Sequence, residues 1–500
     1  MMKKGTLILF AFILIKIVLQ YLLVNPIYDL QRDEYLHLDQ AKHLAWGYHS
    51  IPPLTSWISW LILKLGNAYF WVKFFPALFG ALTILVVWKT VESLKGSLYA
   101  CVLTATALTF SSLLRINMLY QPNSFDILSW TLVYYTFIRF IQTENYKWLY
   151  FMTASFAIGF LNKYNIVFCL LGLLPAILLT KHRKLFLQPK FYLALLIGLI
   201  LISPNLIWQF QNDFPVLKHM KELAETQLVH VDRMDFVEDQ VMFFLSSLLI
   251  ILAGFISLFI YKPFRPYQLL FWALSFTLTI FIYLKAKGYY AIGLYPIFFA
   301  FGTVYLSYIL KHSWKLYLRI IPVAIILLLF IPLLDRALPL KTPEEYFKSG
   351  RQHTWEDGEK HPISQDFADM LGWKELATKV DSLYNTIADK ETILILCDNY
   401  GQAGAINYYT KVKGLTADSF TNDYINWVNF NREIQTVIRI KDADNTDFSR
   451  DYRLFENVVR VTKIENKFAR EKDTQIILLS NPKLNLATLL RREKAAGNLQ

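Results

Sequence analysis

Long apolar runs recur through the first two thirds of this chain, and they restrict it to very few kinds of fold. Leu7 to Val24, Tyr69 to Trp88, Tyr192 to Phe210, Val241 to Tyr261 and Ile320 to Leu334 are examples. A helix crosses a bilayer with about 20 mostly apolar residues, at about 1.5 Å rise per residue. In lipid every backbone polar group must be satisfied internally, which leaves helices and closed barrels. Barrel strands alternate polar and apolar residues, and these runs do not. The chain therefore reads as an α-helical polytopic membrane protein. Its composition agrees: 55% of residues are hydrophobic and 18% charged, where a soluble domain has about 25% charged. Eleven spans are expected, at about 7–24, 69–88, 97–114, 124–140, 148–162, 164–180, 191–209, 241–260, 267–284, 289–310 and 316–334. The apolar segment Leu54 to Leu65 is too short to cross and reads as an interfacial helix.

Charge fixes the orientation. Lys89, Lys95, Arg139, Lys147, the Lys181-His182-Arg183-Lys184 cluster, Lys262, Arg265, Lys311, Lys315 and Arg319 fall on one set of alternate loops. The opposite loops carry Asp29, Asp33, Glu34, Asp39, Asp213, Glu222, Glu225, Asp232, Asp235, Glu238 and Asp239. Basic residues accumulate on the cytosolic side, so the acidic set is outside. The same rule accounts for the net charge of +12 without nucleic acid as a partner. Lys3 and Lys4 before an apolar run also fit a signal peptide, but the run is long and Asn25-Pro26-Ile27 is not a small-residue cleavage site, so the segment reads as a retained first span. After Asp335 the composition changes. Trp373 to Ile387 reads as a helix, and Thr392 to Cys397, Val437 to Ile440 and Gln475 to Leu479 read as strands. Residues 1–334 are thus expected to form a membrane domain, with a first outer loop at 25–68, and residues 335–500 a soluble α/β domain outside the cytosol. Cys397 is the one cysteine of that domain, which excludes a disulfide within it.

The first outer loop, Asp29 to His43, mixes charges with Tyr35, Leu36 and Leu38, as an amphipathic surface helix does. On a helix Asp33 and His37 share a face, whereas the adjacent Asp33 and Glu34 diverge by about 100°. At most one of the two acids points into a given site; the other holds the loop or a metal. Asp126 enters an apolar run, where an acid at mid-bilayer costs about 2.5–3.5 kcal/mol, so it faces a wet cavity or a partner. Lys163, Lys285 and Lys287 stand at outer span ends. They either snorkel to ordinary lipid phosphates or hold the phosphate of a lipid-linked substrate. Trp208 to Pro215 suits a sugar or an ordinary aromatic belt. Asn399-Tyr400-Gly401-Gln402-Ala403-Gly404 after a strand looks like a ligand-binding turn but lacks the full dinucleotide fingerprint, and a structural turn explains it as well.

Several short segments, in order, carry a family likeness. Arg32-Asp33-Glu34-Tyr35, His43-Leu44-Ala45-Trp46-Gly47-Tyr48 and Pro52-Pro53-Leu54 come first. Asn123-Ser124-Phe125-Asp126, Gly159 to Tyr164, Pro204 to Gln209, Arg265-Pro266, Lys287-Gly288-Tyr289-Tyr290 and Tyr295-Pro296 follow, with Asp369 to Trp373 and Asn399 to Ile406 in the C-terminal domain. Together they resemble the glycosyltransferase family 39 membrane proteins, relatives of protein O-mannosyltransferases and of the lipid A aminoarabinose transferase. The resemblance implies a GT-C architecture with its active site on the outer face, in a bacterial inner membrane, and a polyprenyl-phosphate-linked sugar donor. It implies Asp33 at or near the general base, with Glu34 beside it. Arg32, Tyr35, His43, Arg115, Asn123, Asp126, Lys163, Lys285, Lys287, Tyr289 and Tyr290 are the expected substrate contacts. Two departures stand out: Ser50-Ile51-Pro52-Pro53 lacks the histidine many members have there, and Thr421-Asn422-Asp423-Tyr424 keeps little of the family's pattern.

The chemistry is coherent without the family name. Sugar transfer from a lipid phosphate needs a base for the attacking hydroxyl and positive charge for the leaving phosphate. Lys163, Lys285, Lys287 or Arg115 supplies the charge, with a divalent metal as an optional aid for which Glu34 and His37 are the candidate ligands. One direct displacement inverts the anomeric centre. The acceptor is a lipid, a glycan or a protein. The competing reading is a transporter or flippase of a lipid-linked sugar, which predicts repeated halves that the chain does not show.

Overall fold

The computed structural model describes residues 4–226, 228–356 and 358–496, so Lys3 lies outside the described residues. The chain divides into two compact units. One comprises residues 1–24, 45–55 and 65–340; the other comprises 25–44, 56–64 and 341–500.

The first unit is helical. Lys4–Leu22, Tyr69–Ser93, Pro189–Gln211, Lys262–Tyr283 and Ser313–Ala337 are long and apolar enough to cross a membrane. Three bent pairs raise that count from five to as many as eight: Tyr164–Leu178 with Lys181–Leu187, Arg233–Met242 with Leu245–Ile260, and Gly288–Leu294 with Pro296–Ile309. Leu98–Thr109, Asn123–Thr143 and Lys147–Phe160 occupy the three remaining expected positions. Leu98–Thr109 and Lys147–Phe160 are short, and Asn123–Thr143 carries Asp126 and Arg139. The protein is a multi-pass membrane protein. Leu7, Phe10, Leu14 and Leu22 of the first helix are exposed, as a lipid-facing helix requires, while Trp88, Trp130, Phe137, Phe298 and Phe301 fill the interior. Without a hydrophobic drive between helices in lipid, small residues set the closest approaches. A side chain at Gly254 would meet the Phe298 carbonyl and one at Gly302 the Ile250 carbonyl, so the Leu248–Ile260 and Pro296–Ile309 helices touch backbone to backbone. Thr104 and Thr303 hydroxyls pair across helices at 2.6 Å, as do Ser97 and Ser307.

The second unit is α/β. Its strands are β1 (His353–Thr354), β2 (Lys360–His361), β3 (Ile393–Cys397), β4 (Ala417–Ser419), β5 (Thr436–Lys441), β6 (Phe455–Lys463) and β7 (Gln475–Pro482). β1 and β2 form a small antiparallel hairpin. The main sheet has the order β4-β3-β5-β7-β6, with β3 parallel to both β4 and β5, and with β7 antiparallel to β5 and β6. Every residue of β3 is buried, as expected of a strand covered on both faces. Leu394 and Leu396 pack with Val428, Phe430, Val437, Leu479 and Leu490 on one of them.

The first outer loop differs from its sequence reading. The Arg32–Asp39 helix is not an amphipathic helix on a membrane surface. It belongs to the second unit, and Glu34 to Asp39 are all buried. Its low apolar content is tolerated because its polar groups have protein partners: Asp39 Oδ2 accepts from the Tyr424 hydroxyl at 2.7 Å and from Asn407 Nδ2 at 2.6 Å, and Gln40 Nε2 donates to Asp423 Oδ2 at 2.9 Å. The Asn399 to Gly404 motif receives this helix. Asn399 caps the Tyr400–Tyr409 helix in a capping box with Gln402, and a side chain on Gly404 would come within 2.7 Å of Tyr35 Cβ and 2.8 Å of the Tyr424 hydroxyl. The two glycines serve close helix packing.

Candidate active site

Candidate residues gather in two places, one in each unit. In the second unit, Gln31 caps the Arg32–Asp39 helix, its side chain accepting from the Asp33 amide at 2.9 Å while Glu34 Oε2 accepts from the Gln31 amide at 2.7 Å. This capping box separates the roles of the two acids. Glu34 is fully buried, and its Oε2 is engaged at the helix terminus. His37 is 5% exposed and its Nδ1 lies 3.4 Å from Gln40 Oε1, and burial lowers its affinity for a proton. Tyr35, expected at the substrate, is instead a core residue with no exposure. Its ring meets Trp373 edge-on at 5.6 Å and its hydroxyl lies 3.3 Å from that of Tyr409.

Asp33 points elsewhere. Its side chain is 37% exposed, Arg32 Nε lies 3.6 Å from Oδ1, and the Tyr400 hydroxyl donates to Oδ1 at 2.7 Å. Burial alone would push this carboxyl up, but Arg32, the Tyr400 hydrogen bond, His37 and Arg470 outweigh it and hold it below the usual carboxylate range. Arg32 also lies over the Tyr400 ring at 5.3 Å. Asp33 is thus an ionised, accessible carboxylate on a rigid helix start. His43 stacks on Trp427 at 4.3 Å and 8°.

In the first unit, Lys163 is held between the rings of Tyr290 at 4.7 Å and Tyr289 at 5.2 Å, and donates to Asn123 Oδ1 at 2.7 Å. An ammonium carries three N–H donors, and this contact uses one. The turn bearing Lys163 is fixed by Asn162, whose Nδ2 donates to the Pro122 carbonyl at 2.8 Å. Asp126 accepts from Trp130 Nε1 at 3.0 Å and Asn165 Nδ2 at 2.9 Å, and Asn165 also donates to the Tyr290 carbonyl. Five expected residues therefore meet, together with Asn165 and Trp130, which the sequence reading missed. Lys287 is close enough for its charge to act on Lys163 and His219. Lys285 has a φ of 53° just past its helix, and Arg115 lies on the short Leu113–Ile116 helix. The 45–55 loop is tied to the same region: Asn205 Nδ2 donates to the Trp46 carbonyl at 2.7 Å, the Tyr164 hydroxyl donates to Asn205 Oδ1 at 3.1 Å, and a side chain on Gly47 would strike Trp208. Trp208 and Asn205 thus brace a loop, which explains their polar and aromatic mix.

One group among the described residues has metal-binding composition: His49, His219 and Glu222, with ligand atoms within 4.8 Å of one another. His219 and Glu222 share a face of the Pro215–Thr226 helix, and His49 Nε2 is 3.1 Å from Glu222 Oε2.

The described residues thus form a bundle of bent and straight apolar helices and a separate α/β unit that holds Asp33. Residues 50–208 match the family model described as dolichyl-phosphate-mannose-protein mannosyltransferase. The lipid A galacturonosyltransferase RgtD of Rhizobium johnstonii is 22% identical over 224 residues, 44% of this chain and 46% of that protein, so the match spans about half the relative's length. In structure the chain resembles ArnT from Cupriavidus metallidurans bound to undecaprenyl phosphate, with a TM-score of 0.63, 12% identity and coverage of 94% of this chain and 97% of that one. The Archaeoglobus fulgidus oligosaccharyltransferase in its apo form is more distant, with a TM-score of 0.50, 11% identity and coverage of 86% and 69%.

Proposed function

We propose that this protein is an inverting membrane glycosyltransferase that moves a sugar from a polyprenyl-phosphate-linked donor to an acceptor hydroxyl at the outer face of a bacterial inner membrane. The observation that carries the reading is Asp33: a carboxylate kept ionised by Arg32 and Tyr400, yet open to solvent, on a helix that polar contacts lock in place. The acceptor hydroxyl attacks the anomeric carbon as the carbon–oxygen bond to the phosphate breaks. The bonding pair leaves with polyprenyl phosphate, and the hydroxyl proton passes to Asp33. The phosphate passes from a singly charged diester to a doubly charged monoester, gaining one negative charge rather than a proton, so fixed cations stabilise it best. Within the first unit, the tyrosine box and Asn123 orient the Lys163 ammonium as a lipid phosphate contact would require. Where a divalent cation takes part, His49, His219 and Glu222 are the residues that would hold it; two imidazoles and a carboxylate suit a zinc-class ion, which would supply charge for a phosphate oxygen. The α/β unit lies outside the cytosol on this reading.

The test uses purified full-length protein in lipid nanodiscs with a radiolabelled polyprenyl-phosphate sugar and a lipid or glycan acceptor. Transfer with release of polyprenyl phosphate is expected, and Asp33→Asn is expected to lower it by roughly 10²–10⁴-fold, the usual contribution of a general base, with an unchanged melting curve. Normal turnover by that variant removes Asp33 from the role. In sealed vesicles, movement of the labelled lipid across the bilayer without transfer would establish a flippase instead.

A further inference from the structure

The Pro215–Thr226 helix carries apolar residues on two sides, and the protein covers one of them. Leu223 is buried, with His219 on the same side, whereas Leu217 is 64% and Met220 45% exposed. At about 100° per residue, Leu217, Met220 and Ala224 fall within roughly 60° of one another, and Lys218 and Glu225 lie outside that arc.

This exposed side continues a surface that faces lipid. The preceding span, Pro189–Gln211, exposes Leu195, Leu199, Ile200, Ile207 and Phe210 along its length. Phe210, in its last turn, meets Phe214 edge-on at 6.1 Å, and the Phe214 carbonyl accepts from the Leu217 amide at 2.9 Å. The corner between span and helix is rigid. Asp213 and Phe214 have φ of 58° and 49°, a left-handed conformation that a bulky residue rarely adopts. Gln209 holds them there: its carbonyl accepts from the Phe214 amide at 2.7 Å, its Oε1 accepts from the Val216 amide at 3.4 Å, and its Nε2 donates to the Tyr164 hydroxyl at 2.8 Å. The direction of Leu217 and Met220 is therefore set by the span. Beyond the helix the chain returns to the bundle with a second exposed apolar stripe, Met234, Val237 and Val241, spaced three and four residues apart on the Arg233–Met242 helix.

A largely polar helix whose exposed stripe is apolar and runs without a break into a lipid-facing span fits one partner, the bilayer interface. In water the same patch would be an association site. The other side of the helix meets the 45–55 loop. Glu222 Oε2 lies 3.1 Å from His49 Nε2, and the His219 and His49 rings meet edge-on at 5.3 Å and 71°. We propose that the Pro215–Thr226 helix is seated in the headgroup layer of the bilayer, with Phe214, Leu217 and Met220 among the acyl chains, and that this seating holds His219 and Glu222 against His49. The bilayer is then a structural partner of the 45–55 loop, whatever the protein transfers.

Cys101, Cys169 and Cys397 are buried, so a thiol-reactive fluorophore reports a single introduced cysteine in full-length protein in lipid nanodiscs. Interfacial helices sink their apolar face about 5–10 Å into the boundary between headgroups and acyl chains. Labels at Leu217→Cys and Met220→Cys should accordingly be quenched by lipids brominated high on the acyl chain at least about threefold more strongly than a label at Glu225→Cys. A label at Leu199→Cys, within the span, is the positive control. Equal quenching of the labels at positions 220 and 225 overturns the seating. So does a label at position 220 that is shielded from water yet untouched by brominated lipid, which would make a second copy of the chain the cover. The hold on His49 is read separately. Leu217→Glu combined with Met220→Glu removes the apolar stripe at exposed positions, so the core keeps its packing. Amide exchange across residues 45–55 should then rise severalfold in nanodiscs, with an unchanged melting temperature. Wild-type exchange in the double variant overturns the coupling to His49.

Discussion

Asp33 sits between a guanidinium and a phenol, and the two partners act differently. Arg32 supplies charge, whereas Tyr400 supplies one hydrogen bond at 2.7 Å. A hydrogen bond to a charged group contributes about 1.5–3 kcal/mol, discounted here because the carboxyl is 37% exposed and water screens it. Tyr400→Phe removes the stabilisation of the ionised form, so the carboxyl titrates at higher pH. As a depressed carboxyl loses its charge only when pH falls through its folded value, the acid limb of the transfer pH profile should move up by roughly 0.5–1 unit, with kcat at pH 8 changed less than threefold. An unmoved acid limb would show that Asp33 is not the group whose ionisation the profile reports. Tyr400 is a positioning residue that the chain order hides. It lies 367 positions from Asp33, and nothing in its local sequence distinguishes it from the Tyr408 and Tyr409 of the same helix. The divergence of Asp33 and Glu34, by contrast, was legible from helix geometry alone; which acid faces the site was decided by Gln31, since an N-cap requires the residue three positions on to turn back.

At the level of elements, the Arg32–Asp39 and Tyr400–Tyr409 helices touch at glycine. A methyl group at Gly404 would press on Tyr35, Tyr424 and the Tyr35 backbone, and overpacking of this kind costs about 1–3 kcal/mol. Gly404→Ala should therefore lower the melting temperature by several degrees and reduce transfer more than stability predicts, because the helix carrying Asp33 must shift; full activity with a normal melting temperature would mean that the helix position does not matter to catalysis. β4 offers a second element-scale test with a defined sign. Asp418 is 8% exposed, and burial, against the pull of Arg432 and with the push of Asp39, raises it to about 6. The folded chain then holds a proton below about pH 6 that the unfolded chain holds only below about 3.9. The charged form costs stability at pH 7, roughly 2–3 kcal/mol for a shift of that size, and the cost fades as pH falls from 6 to 4. Asp418→Asn should raise the melting temperature at pH 7.5 and show little gain at pH 4; an equal gain at both would trace the effect to packing. The apolar runs and the strands β3, β5 and β7 could be read from sequence because their residues are buried on both faces or lipid-facing. β6 is exposed over most of its length, with Phe455, Val458, Val459 and Val461 irregularly spaced, and β4 is three residues long, so neither has a periodicity to detect.

Over the whole molecule, the boundary read at Asp335 and the boundary of the compact α/β unit differ, because residues 25–44 fold with residues 341–500. Composition cannot reveal this: the segment is polar enough for a loop, and its partners lie more than 300 positions away. The consequence is physical. The Trp373–Thr386 helix begins at Gly372, which has no side chain to cap it, and Asp29 Oδ2 accepts from the amides of Trp373 and Lys374 at 3.2 Å each, while Lys374 Nζ meets Oδ1 at 2.9 Å. The Asp29 and Arg32 amides donate to the Met370 and Asp369 carbonyls. Tyr35, Leu36 and Leu38 are buried in the same unit, and burying a large side chain contributes about 1.5–3 kcal/mol. Their sum, with a lost cap of about 1 kcal/mol, approaches the whole stability of a domain, about 5–15 kcal/mol. A fragment of residues 341–496 should accordingly fail to fold cooperatively and should bind a hydrophobic dye, whereas the same fragment carrying residues 25–44 on a flexible linker should melt in one transition. Asp29→Ala in that fusion should lower its melting temperature by several degrees, the cap and the ion pair being lost together. A cooperative transition in the fragment lacking 25–44 would show that the α/β unit builds its own core and that the 25–44 segment merely rests on it; the opposite result makes the segment that carries Asp33 a structural part of that unit, so that any mutation loosening the sheet also moves Asp33.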